Sequence, residues 1–414
     1  MANTFQDLSA GDITSRALES FHNNLVFVKN INRQYDDRFA RSGAKNGGDL
    51  LIRNPNEFTV SSGAVMDVQD ITEDYQTLTV ATQRHVALNL TDYELTMSVE
   101  DAQERIIDPA MKRLAAEVDK VTIENCYPAV WNMANTTHGT EPDITDVALA
   151  RKALQKGLAP TGDRYFMAEA GAMANIVADG KSIFNPSSEI EKQYQEGYVG
   201  RLQGFDFYES EMVPTHTNGT RTDTTPVCNT STGITSGTAT IAITAFGPSG
   251  GTYKKGDIFN IEGVYAVNPE TKVSTGELQK FVVTADKTAT TTTITVAVSP
   301  TPITSGAKQT VSIPSAGAGK SVSNLTATDG SGAASTGYVT NLAWHKDAFT
   351  FVTADLQMPR GAHLAAREVF DGISMRIWQQ GDIVNDKFPM RIDVLFGSKA
   401  LRPRWACRVP GASA

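Results

Sequence analysis

Residues 229–340 differ so sharply from their flanks that they dictate how the rest of the chain is read. The block is dense in Thr, Ser, Gly and Ala and carries short alternating apolar runs. Ala239, Ile241 and Ile243 share one strand face, and Phe281 and Val283 share another. Glycine turns separate the runs, as in a small all-β barrel or sandwich. Ordinary composition stands on both sides, up to about Cys228 and again from Asn341. A β-rich domain inserted into a mixed domain is the expected arrangement. The 414 residues leave room for it, since single cores stop growing at about 250–300 residues.

The flanks alternate between helical and strand periods. Ile13, Ala17, Phe21, Leu25 and Val28 recur at helical spacing and predict an amphipathic helix over 8–30, with Asp12 as a cap. From Leu50 to Leu90 the period becomes two. Leu78, Val80, Val86, Leu88 and Leu90 fall on one face, with Thr77, Thr79, Gln83, His85 and Asn89 on the other. With residues 50–60 this predicts two long strands joined by an acidic loop. A strand of about 15 residues spans about 50 Å, while a compact chain of this length has a radius of gyration of about 22 Å. Such a ribbon can project beyond its own domain or lie twisted across its surface.

A long helix is predicted next. Ser98-Val99-Glu100-Asp101 resembles a capping box, and Ile107, Met111, Leu114, Val118 and Val121 form one stripe. Lys112, Arg113, Glu117 and Lys120 lie away from it, Pro109 suits a first turn after Asp108, and Pro128 ends or bends the helix. Residues 144–225 read as α/β: helices at 146–156 and 169–178, a strand at Tyr165-Phe166-Met167, and a Gly-punctuated strand over 200–210. After the β-rich block come strands at 349–353, 371–379 and 389–396, then a basic tail with Arg402, Arg404 and Arg408.

Composition narrows function by exclusion. A formal charge of −9 and a pI near 5.3 argue against tight binding of nucleic acid through phosphates, though a surface can face nucleic acid without gripping it. The first residues lack a basic stretch followed by an apolar one, so no signal peptide is expected. No apolar run approaches eighteen residues, so no membrane-spanning helix is expected. Cys126, Cys228 and Cys407 are scattered and odd in number, as for reduced thiols in a cytosol.

Two sequences imitate enzyme motifs. Gly317-Ala318-Gly319-Lys320-Ser321 looks like the end of a phosphate-binding loop, but Pro314 stands where the first glycine belongs and no helix pattern follows. Gly247-Pro248-Ser249-Gly250-Gly251 has the letters of a nucleophile elbow, yet Tyr253 to Phe259 read as turn and strand. The six histidines show no metal-ligand spacing. The acidic loop holding Asp67, Asp70, Glu73 and Asp74 lacks the glycine and spacing of a calcium loop. No catalytic residue, metal site or cofactor is expected. A β-rich surface adhesin or other binding module is the alternative the Thr/Ser/Gly-rich block suggests.

The order of parts carries a resemblance. Its residues are Thr91-Asp92-Tyr93-Glu94-Leu95-Thr96, then Gly200-Arg201-Leu202-Gln203-Gly204-Phe205 running on to Val213-Pro214. It closes with Trp344-His345-Lys346-Asp347-Ala348-Phe349, Gln380-Gly381-Asp382-Ile383 and Leu401-Arg402-Pro403. Together they resemble tailed-bacteriophage major capsid proteins of the Hong Kong 97-type fold, nearest the coat proteins of short-tailed Salmonella phages, which also carry an inserted β-barrel. The resemblance implies an α+β fold. Residues 1–45 would form an N-terminal arm, 46–90 an extended loop, 91–134 a peripheral domain with its spine helix, and 135–228 the first part of an axial domain. Residues 229–340 would be the inserted β-barrel, and 341–414 the returning strands. It implies self-assembly through pentamers and hexamers into an icosahedral virion shell, put together in the host bacterial cytoplasm. Scaffolding protein, portal protein and packaged double-stranded DNA on the inner face, bound without sequence specificity, would be the partners, and no membrane. Asp67, Asp70, Glu73 and Asp74 would meet basic residues of a neighbouring subunit.

Overall fold

The computed structural model describes residues 10–35, 49–60, 63–64, 68–71, 73–90, 106–134, 140–180, 200–220, 226–228, 234–244, 251–314, 319–325, 337–359, 361–362, 364–381 and 388–413. The chain is a mixed α+β protein of two compact units. One gathers residues 1–53, 75–125 and 349–399, and the other residues 54–74, 126–348 and 400–414. The capping-box residues 98–101, the 91–96 segment and Asp382-Ile383 lie outside the described residues.

In the first unit a six-stranded sheet runs Asn32–Tyr35, Phe349–Thr353, Phe388–Ala400, Ile373–Gln379, Leu364–Phe370, with Thr82–Leu90 also paired to Phe388–Ala400. Helix Ala10–Asn24 is shorter than the 8–30 expected, and a single 3₁₀ turn, Val28–Asn30, follows it. The cause is a residue 92 positions away. The carboxylate of Asp119, buried on helix Asp108–Cys126, accepts the amides of Val26 at 2.7 Å, Phe27 at 3.2 Å and Val28 at 3.0 Å. Those amides are thereby withdrawn from helical pairing. The long helix buries Met111, Leu114, Ala115 and Val118 and exposes Lys112, Arg113, Glu117 and Lys120, as its stripe predicts.

The period-two run keeps its faces but changes partners. Leu78 and Val80 are buried, while Thr77, Thr79, Gln83, His85 and Asn89 are exposed. Two long paired strands do not form. Asp49–Arg53 pairs with Tyr75–Thr79 over five residues, and Thr82–Leu90 then pairs along Phe388–Phe396 in the sheet. Gly397 lies so near the crossover that a Cβ there would stand 2.4 Å from the Thr79 carbonyl oxygen. Alternation specifies which face turns inward, not which strand lies alongside.

In the second unit a six-stranded sheet runs Ala406–Ser413, Gly337–His345, Arg164–Ala168, Phe205–Glu209, Arg201–Leu202, with Thr215–Thr217 also paired to Gly337–His345. Val147, Ala150 and Leu154 of helix Ile144–Lys156 join Phe166, Phe205, Phe207, Ala343, Cys407 and Val409 in one core. Asp143 caps that helix, accepting the Asp146 amide at 2.9 Å while the Asp146 carboxylate accepts its own amide at 3.1 Å.

Between Thr215–Thr217 and Gly337–His345 lies an all-antiparallel barrel. Its strands follow Ile258–Val267, Ser274–Val283, Ile294–Ser299, Thr240–Thr244 and Val227–Cys228. Val227 bridges Ser321, and Val322–Asn324 pairs with Ile258–Val267, which closes the ring. Phe259, Ile261, Phe281, Val283, Ile294 and Val296 fill it. Residues 337–340, grouped by composition with the β-rich block, instead begin the central strand of the six-stranded sheet. Val227–Cys228, before that block, belongs to the barrel. Strand membership follows hydrogen bonding, which a composition boundary tracks only to within several residues.

Candidate assembly surface

The described part of the phosphate-loop look-alike takes a structural place. The amide of Cys228 donates to the Lys320 carbonyl at 2.8 Å, and that of Gly319 donates to the Cys228 carbonyl at 3.1 Å. Gly319-Lys320-Ser321, the described part of the phosphate-loop look-alike, is thus the seam that closes the barrel, and a strand rather than a helix follows it. A helix N-terminus for phosphate is lacking at that point. Ser249 lies outside the described residues. Among the described residues no group of three His, Cys, Asp or Glu side chains could hold a metal ion. No helix among them is long and apolar enough to cross a membrane.

Buried charges are held by donors rather than poised at a cleft. Burial pushes the Asp119 carboxyl up to about 6, against the pull of its three backbone amides. Asp393 is also desolvated, yet hydrogen bonds from Arg376 and Arg391, both at 2.6 Å, hold it below the usual carboxylate range. Arg408 of the basic tail is no surface charge, because its guanidinium is fully buried. Sequence reasoning missed the roles of Asp119, Asp393 and Arg408, because Asp119 and Arg408 take their partners from distant segments and Asp393 takes Arg376 from the neighbouring strand.

The exposed candidate is the loop over residues 54–74. Its base continues the ribbon, with the Asn54 amide donating to the Asp74 carbonyl at 2.9 Å. Gln69 then clips its two arms: its Oε1 accepts the Thr59 amide at 2.9 Å and its Nε2 donates to the Thr59 carbonyl at 2.6 Å. Glu57 lies 3.4 Å from Lys272 and 4.0 Å from Arg404, and Asp74 lies 3.4 Å from Lys308. Asp70 and Glu73 are exposed, and Asp67 lies outside the described residues. Of the four expected contact acids, the structure therefore gives Asp74 a basic partner on its own chain.

The apolar residues of the same loop went unremarked in the sequence. Phe58, Val68 and Ile71 are more than half exposed and Val60 is wholly so, and Leu51 and Tyr75 are exposed on the ribbon. Most large apolar side chains exposed elsewhere on the described chain stand singly, so this concentration is its most adhesive described surface. The signal was visible as Phe58, Val60, Val65, Met66, Val68 and Ile71 interleaved with the acids.

Solved structures similar to this chain include three from phages. One from Mycobacterium phage Che8 is 12% identical, with a TM-score of 0.46 over 93% of this chain and 90% of that one. The capsid of cyanophage P-SCSP1u is 14% identical, with a TM-score of 0.44 over 94% and 89%. The mature capsid of bacteriophage PhiM1 is 13% identical, with a TM-score of 0.44 over 99% and 91%. No curated protein matches. The family described as "P22 coat protein - gene protein 5" matches residues 1–410. A match over nearly the whole length identifies a non-enzymatic major capsid protein that assembles into a shell: the chain belongs to the P22 coat protein family.

Proposed function

We propose that this coat protein forms pentamers and hexamers of an icosahedral shell around a double-stranded DNA genome, on a Hong Kong 97-like fold assembled in the bacterial cytoplasm. In this reading residues 1–45 are the arm, 46–90 the extended loop and 91–134 the spine region. Residues 135–226 and 337–414 supply the axial and returning strands, and the 227–324 barrel is the inserted domain. Scaffolding and portal proteins are the assembly partners. DNA faces the inner wall without sequence-specific grip, which suits a chain of net charge −9. An adhesin predicts neither the long buried-stripe helix nor membership of a coat protein family.

The observation that carries the proposal is the exposed apolar run Phe58, Val60, Val68 and Ile71 on a loop rimmed by acids. An apolar centre with a charged rim is the anatomy of a protein interface, and a second copy of this chain is the occupant a coat protein supplies. Asp67, Asp70 and Glu73 then act as rim charges toward the neighbour, setting salt dependence more than affinity. Weak contacts repeated at every subunit become strong together. The test is F58D combined with I71D, followed by light scattering of assembly with scaffold and by a monomer melt. Both side chains being exposed, monomer stability should move by no more than about 0.5 kcal/mol, while shell formation is lost. Normal shell yield would remove the loop from the interface.

A further inference from the structure

We propose that the turn Lys254–Asp257 is a tooth seated in a polar socket, and that His216, Asp257 and Arg408 are positioning residues fixing the barrel's orientation on the six-stranded sheet. The socket is lined by His216 on Thr215–Thr217, Tyr338 on Gly337–His345, Arg408 on Ala406–Ser413, and Tyr127 and Pro128 after the long helix.

The fit is specific in shape. Gly256 holds φ at +101°, and a Cβ there would stand 2.9 Å from His216 Cε1 and 3.5 Å from Pro128 Cβ. Only glycine meets both demands. The hydrogen bonds are equally specific. Arg408 Nη1 donates to the Gly256 carbonyl at 2.7 Å, and Nη2 donates to the Pro128 carbonyl at 3.2 Å. One guanidinium thus joins the tooth to the socket wall. Asp257 Oδ1 lies 2.9 Å from His216 Nε2, while Oδ2 accepts the Gly219 amide at 3.1 Å and the Lys254 amide at 3.0 Å. Tyr127 places its hydroxyl 3.4 Å from His216 Nδ1 and its ring under the Arg408 guanidinium, 5.4 Å away. His216, Asp257 and Arg408 are all buried.

Two further features point to orientation rather than barrel stability. Gly256 and Asp257 lie outside the barrel's core cluster, which is built from strand residues such as Phe259, Phe281 and Val296. A separate small cluster, Ile258 and Val282 with Met133 and Trp131, supplies the apolar contact beside the socket. Lys280 Nζ donates to the Met133 carbonyl there at 2.5 Å. Apolar contact is non-directional and tolerates sliding, whereas a buried set of hydrogen bonds has one satisfied arrangement.

The consequence for assembly rests on the shell reading above. A barrel free to reorient must be ordered again at each subunit contact, and that ordering subtracts from association. The experiment uses the full-length chain with G256A and, separately, R408M. The first blocks the tooth without removing any charge or donor, and the second removes the bridge without touching the tooth. Amide hydrogen exchange on the monomer is expected to show the seat amide, Gly219, which reaches Asp257 from outside the turn, exchanging at least a hundredfold faster. Protection in Ile258–Val267 and Ile294–Ser299 should be retained. The threshold concentration for assembly should rise several-fold. Collapse of barrel protection together with the seat would overturn the proposal, as would a Gly219 amide that stays protected in both variants. A released Gly219 amide with an unchanged threshold would overturn the orienting role. Failure of the unaltered chain to assemble at all would count against the shell reading and leave the exchange result to stand alone.

Discussion

Replacing Asp119 tests the account of the first unit most severely, because its magnitude and pH dependence follow from one geometry. The carboxylate accepts three backbone amides from the end of the N-terminal helix, so Asp119→Ala orphans three donors. At about 2 kcal/mol for each buried donor the loss is about 6 kcal/mol. Burial works the other way, since a folded pKa of about 6 against the ordinary 3.8 means that holding the charge at neutral pH costs about 3 kcal/mol. The variant is spared that cost, so it should lose about 3 kcal/mol at pH 7. The folded pKa being raised, wild-type stability is fullest below 3.8 and is lost as pH rises through 6. Acidification from pH 7 to 5 therefore stabilises the wild type by about 1.3 kcal/mol through this group alone. The variant does not share this gain, so its deficit should grow to about 4 kcal/mol at pH 5. Urea melts across that range would read it, followed by Trp378 on strand Ile373–Gln379 after Trp131, Trp344 and Trp405 are changed to Phe. A deficit that shrinks on acidification would show that the amides outweigh burial, and the reasoning would fail.

Other outcomes follow from packing. Gly397→Ala places a methyl 2.4 Å from the Thr79 carbonyl oxygen, and overpacking of this kind costs about 1–3 kcal/mol, read as a lower urea midpoint for the first unit. Cys126, Cys228 and Cys407 are buried, and burial pushes the Cys407 thiol up to about 12. A thiol reagent at pH 8 should therefore find none reactive in the native chain and three after denaturation; rapid native labelling would contradict the burial. A fragment spanning residues 219–325 should fold alone, because its ring of strands closes and its core is its own. Dispersed amide resonances would show it, and a collapsed spectrum would refute it.

What the sequence revealed depended on whether the governing interaction was local. The buried stripe of the long helix and the faces of the period-two run were legible, since each follows from spacing along one element. The end of the first helix was not, because Asp119 stops it from 92 residues away. The partner of Thr82–Leu90 was not, because its mate begins at Phe388. Gly319-Lys320-Ser321 could be dismissed as a phosphate loop from context, but its part in closing the barrel required knowing that Cys228 lies beside it. The loop over 54–74 was half read: its acids drew notice, while the more consequential exposed Phe58 and Val60 stood among them.

The two units should answer acid in opposite directions. In the first, Asp119 gains as pH falls from 7 toward 5, and Asp393 withholds its loss until well below that, its folded pKa being depressed. In the second, burial lowers the pKa of both His216 and His345. A histidine depressed in the folded state contributes stability that is whole above 6.5 and lost as pH falls below it. Around His216 the charged neighbours are Arg408 and Lys254, which oppose its protonation, and Asp257, which favours it, with Tyr127 and Tyr338 alongside. Glu141 and Asp146, raised by burial, act in the first unit's sense, but from the ordinary carboxylate range upward. Between pH 7 and 6 the histidines therefore set the sign for the second unit. Melts followed by Trp378 should shift to higher urea over that interval, and melts followed by Trp344 should shift to lower urea. H216Q combined with H345Q should abolish the second shift and leave the first. Parallel shifts in both signals would mean that the units unfold as one, and the separation of their chemistry would be lost.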